Sequence, residues 1–181
     1  AGTRLIADAV AVAGQVDILV INASAQINAP LDALTEADLE MQLSVNLRAT
    51  INLLQSALPP MAARGWGRVV NIGSINQSRP KSVVTAYAAI KAAQHNLIQS
   101  QARDYARYGV MLNTLSPGLI DTDRNAHRKA TDPQAWQDYA RSLNWVERAG
   151  FSEEMVGAAI LLSSDACSFM TGEVITLSGG Q

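Results

Sequence analysis

Two side chains in the stretch YAAIK, Tyr87 and Lys91, could exchange a proton with a ligand. Four residues apart on a helix, they share one face, because a turn takes about 3.6 residues. A free tyrosine, with a pKa near about 10, is a slow base at neutral pH. A lysine ammonium one helical turn away favours the phenolate, so the pair reads as the acid and the cation of an active site. The spacing alone also suits a surface accident, and its context must decide. Other reactive side chains carry less. His95, four residues past Lys91, reads as a polar-face helix histidine rather than a second base. Asp121-Thr122-Asp123 offers two carboxylates without His or Cys beside them, so a helix start is expected there and no metal. Cys167, the single cysteine, reads as a small buried residue.

The elements that must position Tyr87 and Lys91 follow from hydrophobic patterning. Segments 16–22, 67–73, 110–116 and 173–178 are short, continuous and β-branched, the pattern of buried parallel strands. Helical patterns separate them. The first begins at Thr35, with Asp38 three residues later as a helix-start signal, and Pro59 and Pro60 are expected to kink or end it. The second runs from about 82 to 108 and stops at Gly109. The third connection is an irregular polar stretch, 121–147, followed by a helix that starts on Ser152 with acids in its first turn. Alternating strands and helices imply an α/β fold with a parallel sheet.

In such sheets ligands bind beyond the carboxyl ends of the strands. Each strand here ends in small or polar residues: Asn22-Ala23-Ser24, Asn71-Ile72-Gly73-Ser74, Ser116-Pro117-Gly118 and Ser178-Gly179-Gly180. Tight turns favour these types anyway, but four along one sheet edge point to a place where a ligand approaches the backbone.

With these residues assembled, the chain resembles the short-chain dehydrogenase/reductase family. Tyr87 and Lys91 match its Tyr-x-x-x-Lys motif, and Ser74, thirteen residues earlier, matches the family serine. Asn46 matches the helix asparagine of the active-site tetrad. Ile21-Asn22-Ala23-Ser24 resembles Asn-Asn-Ala-Gly with its first and last residues changed. Pro117, Gly118 and Thr122 match Pro-Gly-x-x-x-Thr, and Thr171-Gly172 with Gly179-Gly180 match the C-terminal strand. The resemblance implies NAD or NADP as cofactor and a small-molecule alcohol or ketone as substrate. It implies Tyr87 as general acid in reduction and base in oxidation, Lys91 tuning it and holding the nicotinamide ribose, and Ser74 bonding the substrate oxygen. Asn46 would anchor a water linking Lys91 to solvent. Asn22 and Ala23 would line the adenosine side, with Ile120 and Thr122 near the carboxamide. The segment 121–147, with Asn125, His127, Trp136, Tyr139 and Trp145, would line the substrate side.

The resemblance covers the residues present but not the family's first half, a βαβαβ unit with a glycine-rich turn for the pyrophosphate. At about 30 residues per βαβ unit, roughly 60–70 residues are absent. The expectation is therefore the C-terminal portion of a Rossmann-like doubly wound parallel sheet, one incomplete domain over 1–181. Strand 16–22 should then stand at an open edge, and the residues that choose NAD or NADP are not readable. The competing expectation is a non-catalytic or truncated nucleotide-binding relic. Hydrophobic residues at 48% against 17% charged suit a packed core. A net charge of -2 gives no electrostatic case for nucleic acid or anionic membrane, and the expected setting is cytoplasmic. Ala89, Ala93, Leu97 and Ala102 are expected to form a small-residue face of helix 82–108 that meets a symmetry mate in a homodimer or homotetramer.

Overall fold

Four β-branched runs pair in parallel, in the order β1 (Ile18–Ile21), β2 (Gly67–Ile72), β3 (Val110–Pro117) and β4 (Val174–Leu177). The computed structural model describes residues 2–180. Helix α1 (Gly2–Ala13) leads into β1. Helix α2 (Glu36–Gln42) passes without a break through a π-helical turn, Leu43–Arg48, into α3 (Ala49–Arg64). Helix α4 (Thr85–Tyr105) links β2 to β3. Helices α5 (Asp123–Thr131), α6 (Pro133–Leu143) and α7 (Glu153–Ser163) fill the last crossover.

The sheet is covered on two faces. On one, Leu19, Ile21, Val69, Val110 and Leu112 pack under Ile6 of α1, Leu54 and Met61 of α3, and Ile98 of α4. On the other, Val70 and Leu115 pack under Leu162 and the half-buried Met155 of α7, together with Cys167. That second layer stops short of β1, where Ile18 and Val20 are 46% and 49% exposed. Among the described residues β1 pairs only with β2, as the open-edge expectation requires.

Two sequence-level expectations change. Pro59 and Pro60 neither end nor break α3, which continues to Arg64. Both prolines lie on the exposed side of the helix, where water can satisfy the carbonyls one turn back. The stretch 121–147 is not irregular: it holds α5 and α6, divided where the Asp132 carboxylate accepts from the Ala135 amide and Pro133 opens the new helix. Ser152 precedes α7 but makes no side-chain cap; the Glu154 carboxylate accepts from the Phe151 amide instead.

The amino ends of the strands are closed. Gly109 has φ 73°, and a Cβ there would strike the Gly65 carbonyl, so the turns entering β2 and β3 lie against each other. Buried Arg68 donates to the carbonyls of Gly67, Gly109 and Ser164 and stacks 4.5 Å from the Trp66 ring.

Candidate active site

The carboxyl ends of the strands open into a cleft of about 1350 Å³, lined in part by Ser74, Tyr87, Lys91, Pro117 and Thr122. Ser74 lies two residues past β2 and caps the short helical turn Ile75–Gln77: its hydroxyl oxygen accepts from the Asn76 amide at 3.2 Å, while the Gln77 side-chain oxygen accepts from the Ser74 amide. The Ser74 hydroxyl proton remains available to a ligand. Tyr87 and Lys91 lie on one face of α4, with the ammonium 5.9 Å from the phenol ring centroid.

Lys91 is 1% exposed. Burial, and then the charge of Arg124, depress its pKa to about 8. Its Nζ donates to the Ile72 carbonyl at 2.8 Å and to Gln94 Oε1 at 3.0 Å. An ammonium has three N–H groups, so one is left for the cleft. Gln94 cannot be flipped without loss. Its Nε2 donates to the Asn46 carbonyl at 3.2 Å and to Thr50 Oγ1 at 2.7 Å, which leaves Oε1 for Lys91. A buried chain of hydrogen bonds thus runs from the π-helical turn through Gln94 to the ammonium.

Asn46 does not line the cleft. Its side chain donates to the carbonyls of Ala25 and Gln42 and accepts from the Ala25 amide, bracing the segment after β1. Its own carbonyl accepts from Gln94 and from the Thr50 hydroxyl, so the place expected for a linking water is filled by an amide. The π-helical turn around Asn46 makes this possible, because it changes the phase of the helix where Asn46 meets both loop and α4.

The structure brings Asn22, Pro117, Gly118, Ile120 and Thr122 to the same cleft; Ala23 is exposed and is not part of its wall. Gly118 allows close approach of the two strand ends, since a Cβ there would lie 2.8 Å from Ser178 Cα. Asn125, Tyr139 and Trp145 line the cleft as expected, whereas His127 does not, and Trp136 is buried against Ala140 and Ala149. His95 is half-buried, not on a polar face: its Nδ1 lies 3.1 Å from Thr114 Oγ1, and burial lowers its pKa. Ser24 Oγ and Asn76 Oδ1 are buried without a hydrogen-bond partner, and both residues line the cleft. Orphaned polar atoms beside small strand-end residues fit a polar ligand such as a dinucleotide. Gln94 is the contributor that sequence reasoning missed; a polar residue three positions after Lys91, on the face turned to the sheet, was the available signal.

A family model described as enoyl-(acyl carrier protein) reductase matches residues 1–181. Gluconate 5-dehydrogenase of Gluconobacter oxydans (strain 621H) is 35% identical over 167 residues, which are 92% of this chain and 64% of the relative. The chain therefore spans less than two thirds of that curated relative. Among solved structures, a 3-oxoacyl (acyl-carrier-protein) reductase from Agrobacterium tumefaciens C58 with NADP bound is 71% identical, with TM-score 0.98, across all of this chain and 70% of its own. A gluconate 5-dehydrogenase from Burkholderia cenocepacia J2315, in complex with NADP and tartrate, is 36% identical with TM-score 0.91, over 98% of this chain and 69% of its own.

Proposed function

Because the chain belongs to the short-chain dehydrogenase/reductase family, we propose that it acts in an NAD(P)-dependent oxidoreductase that interconverts an alcohol and a carbonyl. The carrying observation is that Ser74, Tyr87 and Lys91 line one cleft at the strand carboxyl ends, with one N–H of a buried ammonium left free. The dinucleotide, when bound, supplies or accepts the hydride. Asn22, Pro117, Gly118, Ile120 and Thr122 would hold it, with Ala23 supporting the turn beside Asn22. NADP is the form carried by the similar proteins from Agrobacterium and Burkholderia.

The chain's own side chains handle the proton. In reduction the Ser74 hydroxyl donates to the carbonyl oxygen and holds it within reach of Tyr87. As negative charge develops on that oxygen, the Tyr87 hydroxyl delivers its proton. The Lys91 ammonium offsets the phenolate that remains. An amide does not pass protons readily, so Gln94 holds Lys91 rather than relaying, and the phenol is reprotonated from the cleft side. Asn46 acts through Gln94 and through the Ala25 backbone. In oxidation the same steps reverse.

We place the enzyme in the cytoplasm as a homodimer or homotetramer. Among the described residues no helix is long and apolar enough to cross a membrane, and Ala89 and Ala93 leave a small-residue strip exposed on α4. Ala102 does not belong to that strip, being 2% exposed in the chain's own core. Five residues past Leu97 is about 140° around the helix. The test is loss of NADPH absorbance by the intact protein across a ketone panel, with Tyr87→Phe alongside. Turnover in the wild type that the variant lacks supports the reading; equal turnover in both removes it.

A further inference from the structure

The cleft is far more cationic than the chain. Overall, 14 Lys and Arg face 16 Asp and Glu. The lining holds Arg79, Lys81, Lys91, Arg124, Arg128 and Arg141, against Asp123 as its one carboxylate among the described residues. Three of these cations are already engaged: Lys91 donates to the Ile72 carbonyl and Gln94 Oε1, Arg141 pairs with Asp138 at 3.8 Å, and Arg124 donates to Gln26 Oε1 and the Ser24 carbonyl. Lys81 and Arg128 are set apart by sharing one partner, Tyr139. Among the described residues neither has a carboxylate within ion-pair distance, and both converge on one phenol. Lys81 Nζ donates to Tyr139 Oη at 3.0 Å, and the Arg128 guanidinium carbon lies 4.4 Å from the Tyr139 ring centroid. Burial would raise the Tyr139 phenol, but Lys81 and then Arg128 together hold it below its ordinary value. Two cations gathered on a half-buried phenol repel each other and lack a counter-charge.

We propose that Lys81, Arg128 and the Tyr139 hydroxyl form an anion subsite that takes the carboxylate of a small hydroxy- or oxo-acid substrate. The inference rests on the oxidoreductase reading above and adds the substrate class. Position argues for the substrate rather than the cofactor. Lys81 lies in the segment between Ser74 and Tyr87, next to the turn Ser82–Val84 that leads into α4. Tyr139 is on α6, a different element from the strand ends that carry Asn22, Pro117 and Gly118. A lysine, a guanidinium fork and a hydroxyl offer more than two donors, which matches the two oxygens of a carboxylate. Sharing one cleft with Ser74 and Tyr87, the subsite fixes which end of a short acid meets the reacting groups, and a neutral alcohol lacks that grip.

The experiment has two arms on the intact protein. In the first, hydroxy acids are compared with their neutral amides in the oxidative direction with NADP. Lys81→Met, which keeps the apolar stem, and Arg128→Gln should each raise KM for the acids by about tenfold and narrow the preference for acid over amide. Arg103→Ala, which removes an exposed charge from the last turn of α4, serves as the charge control and should not change that preference. In the second arm, calorimetry measures tartrate binding, which needs no turnover. Weaker tartrate binding in Lys81→Met and Arg128→Gln supports the subsite even if no alcohol is oxidised, so its fate is separable from that of the enzyme reading. Unchanged tartrate binding in both variants overturns it. So does a rise in the KM for NADP without a change for the acids, which would assign the cations to the cofactor, or a preference for phosphate esters over carboxylates in the wild type.

Discussion

The two ends of the sheet each bury a basic side chain, and they treat it differently. At the amino ends Arg68 is held by structure: three carbonyls accept from it, Trp66 stacks on it, and the exposed Asp165 carboxylate accepts from it at 3.2 Å as counter-charge. At the carboxyl ends Lys91 is just as buried but has no carboxylate partner among the described residues, keeps one N–H for the cleft, and has its pKa lowered by burial and then by the charge of Arg124. A buried charge with a carboxylate counter-ion and a stacked ring, away from the cleft lining, fits a structural role. A buried charge that lines a cleft with no carboxylate beside it carries a desolvation cost that a ligand can repay, which fits a functional role. The same contrast separates the turns at Gly65 and Gly109, closed on each other, from the small-residue turns around Ser74 and Gly118, which line the cleft.

This contrast can be broken by experiment. The largest effect is expected at the carboxyl end: Tyr87→Phe should lower kcat by about 10²–10⁴ with NADP affinity and melting temperature little changed. Retained turnover in steady-state assays would end the mechanism. Arg68→Met should show the opposite profile, a stability loss of about 3 kcal/mol in urea unfolding with kcat per folded molecule preserved, because three carbonyls lose their donor. A fall in kcat without a shift in the urea midpoint would merge the two ends. Gln94→Leu should lower kcat about tenfold by freeing the ammonium, again with folding retained.

The acid–base balance gives a finer test. Lys91 is protonated below about pH 8 in the free protein and loses its charge above it. The support it gives to a phenolate is therefore present at lower pH and fades as pH rises. The kcat/KM profile, which reports the free enzyme, should bend downward near pH 8. Gln94→Glu sets an anion beside the ammonium and should move that bend upward; a bend that stays put would detach Gln94 from the ionisation of Lys91. The smallest effect belongs to Asp165→Ala. Its carboxylate is 85% exposed, so losing the pair with Arg68 should cost about 0.5 kcal/mol or less in the same unfolding assay.

Much of this was legible in the residues. Four continuous β-branched runs have few alternatives in a chain this apolar, and their small polar ends marked the edge where the cleft opens. Ser74, Tyr87 and Lys91 were readable because one helix and one strand end fix their spacing. What escaped depended on partners distant in sequence. The roles of Gln94 and Asn46 need the π-helical turn, which shifts helix phase without leaving a local signal. The prolines in α3 were misread because their tolerance depends on which side of the helix meets water. The helices α5 and α6 were hidden by polar composition: α5 has no buried residue, and in α6 only Trp136 and Ala140 are buried.

The rim of the cleft carries its own optical signal. Trp145 is pinned beside the end of β4: its amide donates to the Gly180 carbonyl and the Val146 amide to that of Gly179, while Gly180, at φ 82°, leaves its Cβ position to the indole. The indole itself stays 83% exposed on the cleft wall. Trp66 sits at the far end of the sheet under Arg68, and Trp136 is buried. Of three tryptophans in the chain, one stands in water at the mouth of the site. Ligand entry should therefore shift tryptophan emission through Trp145, and Trp145→Phe should silence that change, so occupancy becomes visible by light before any substrate is known.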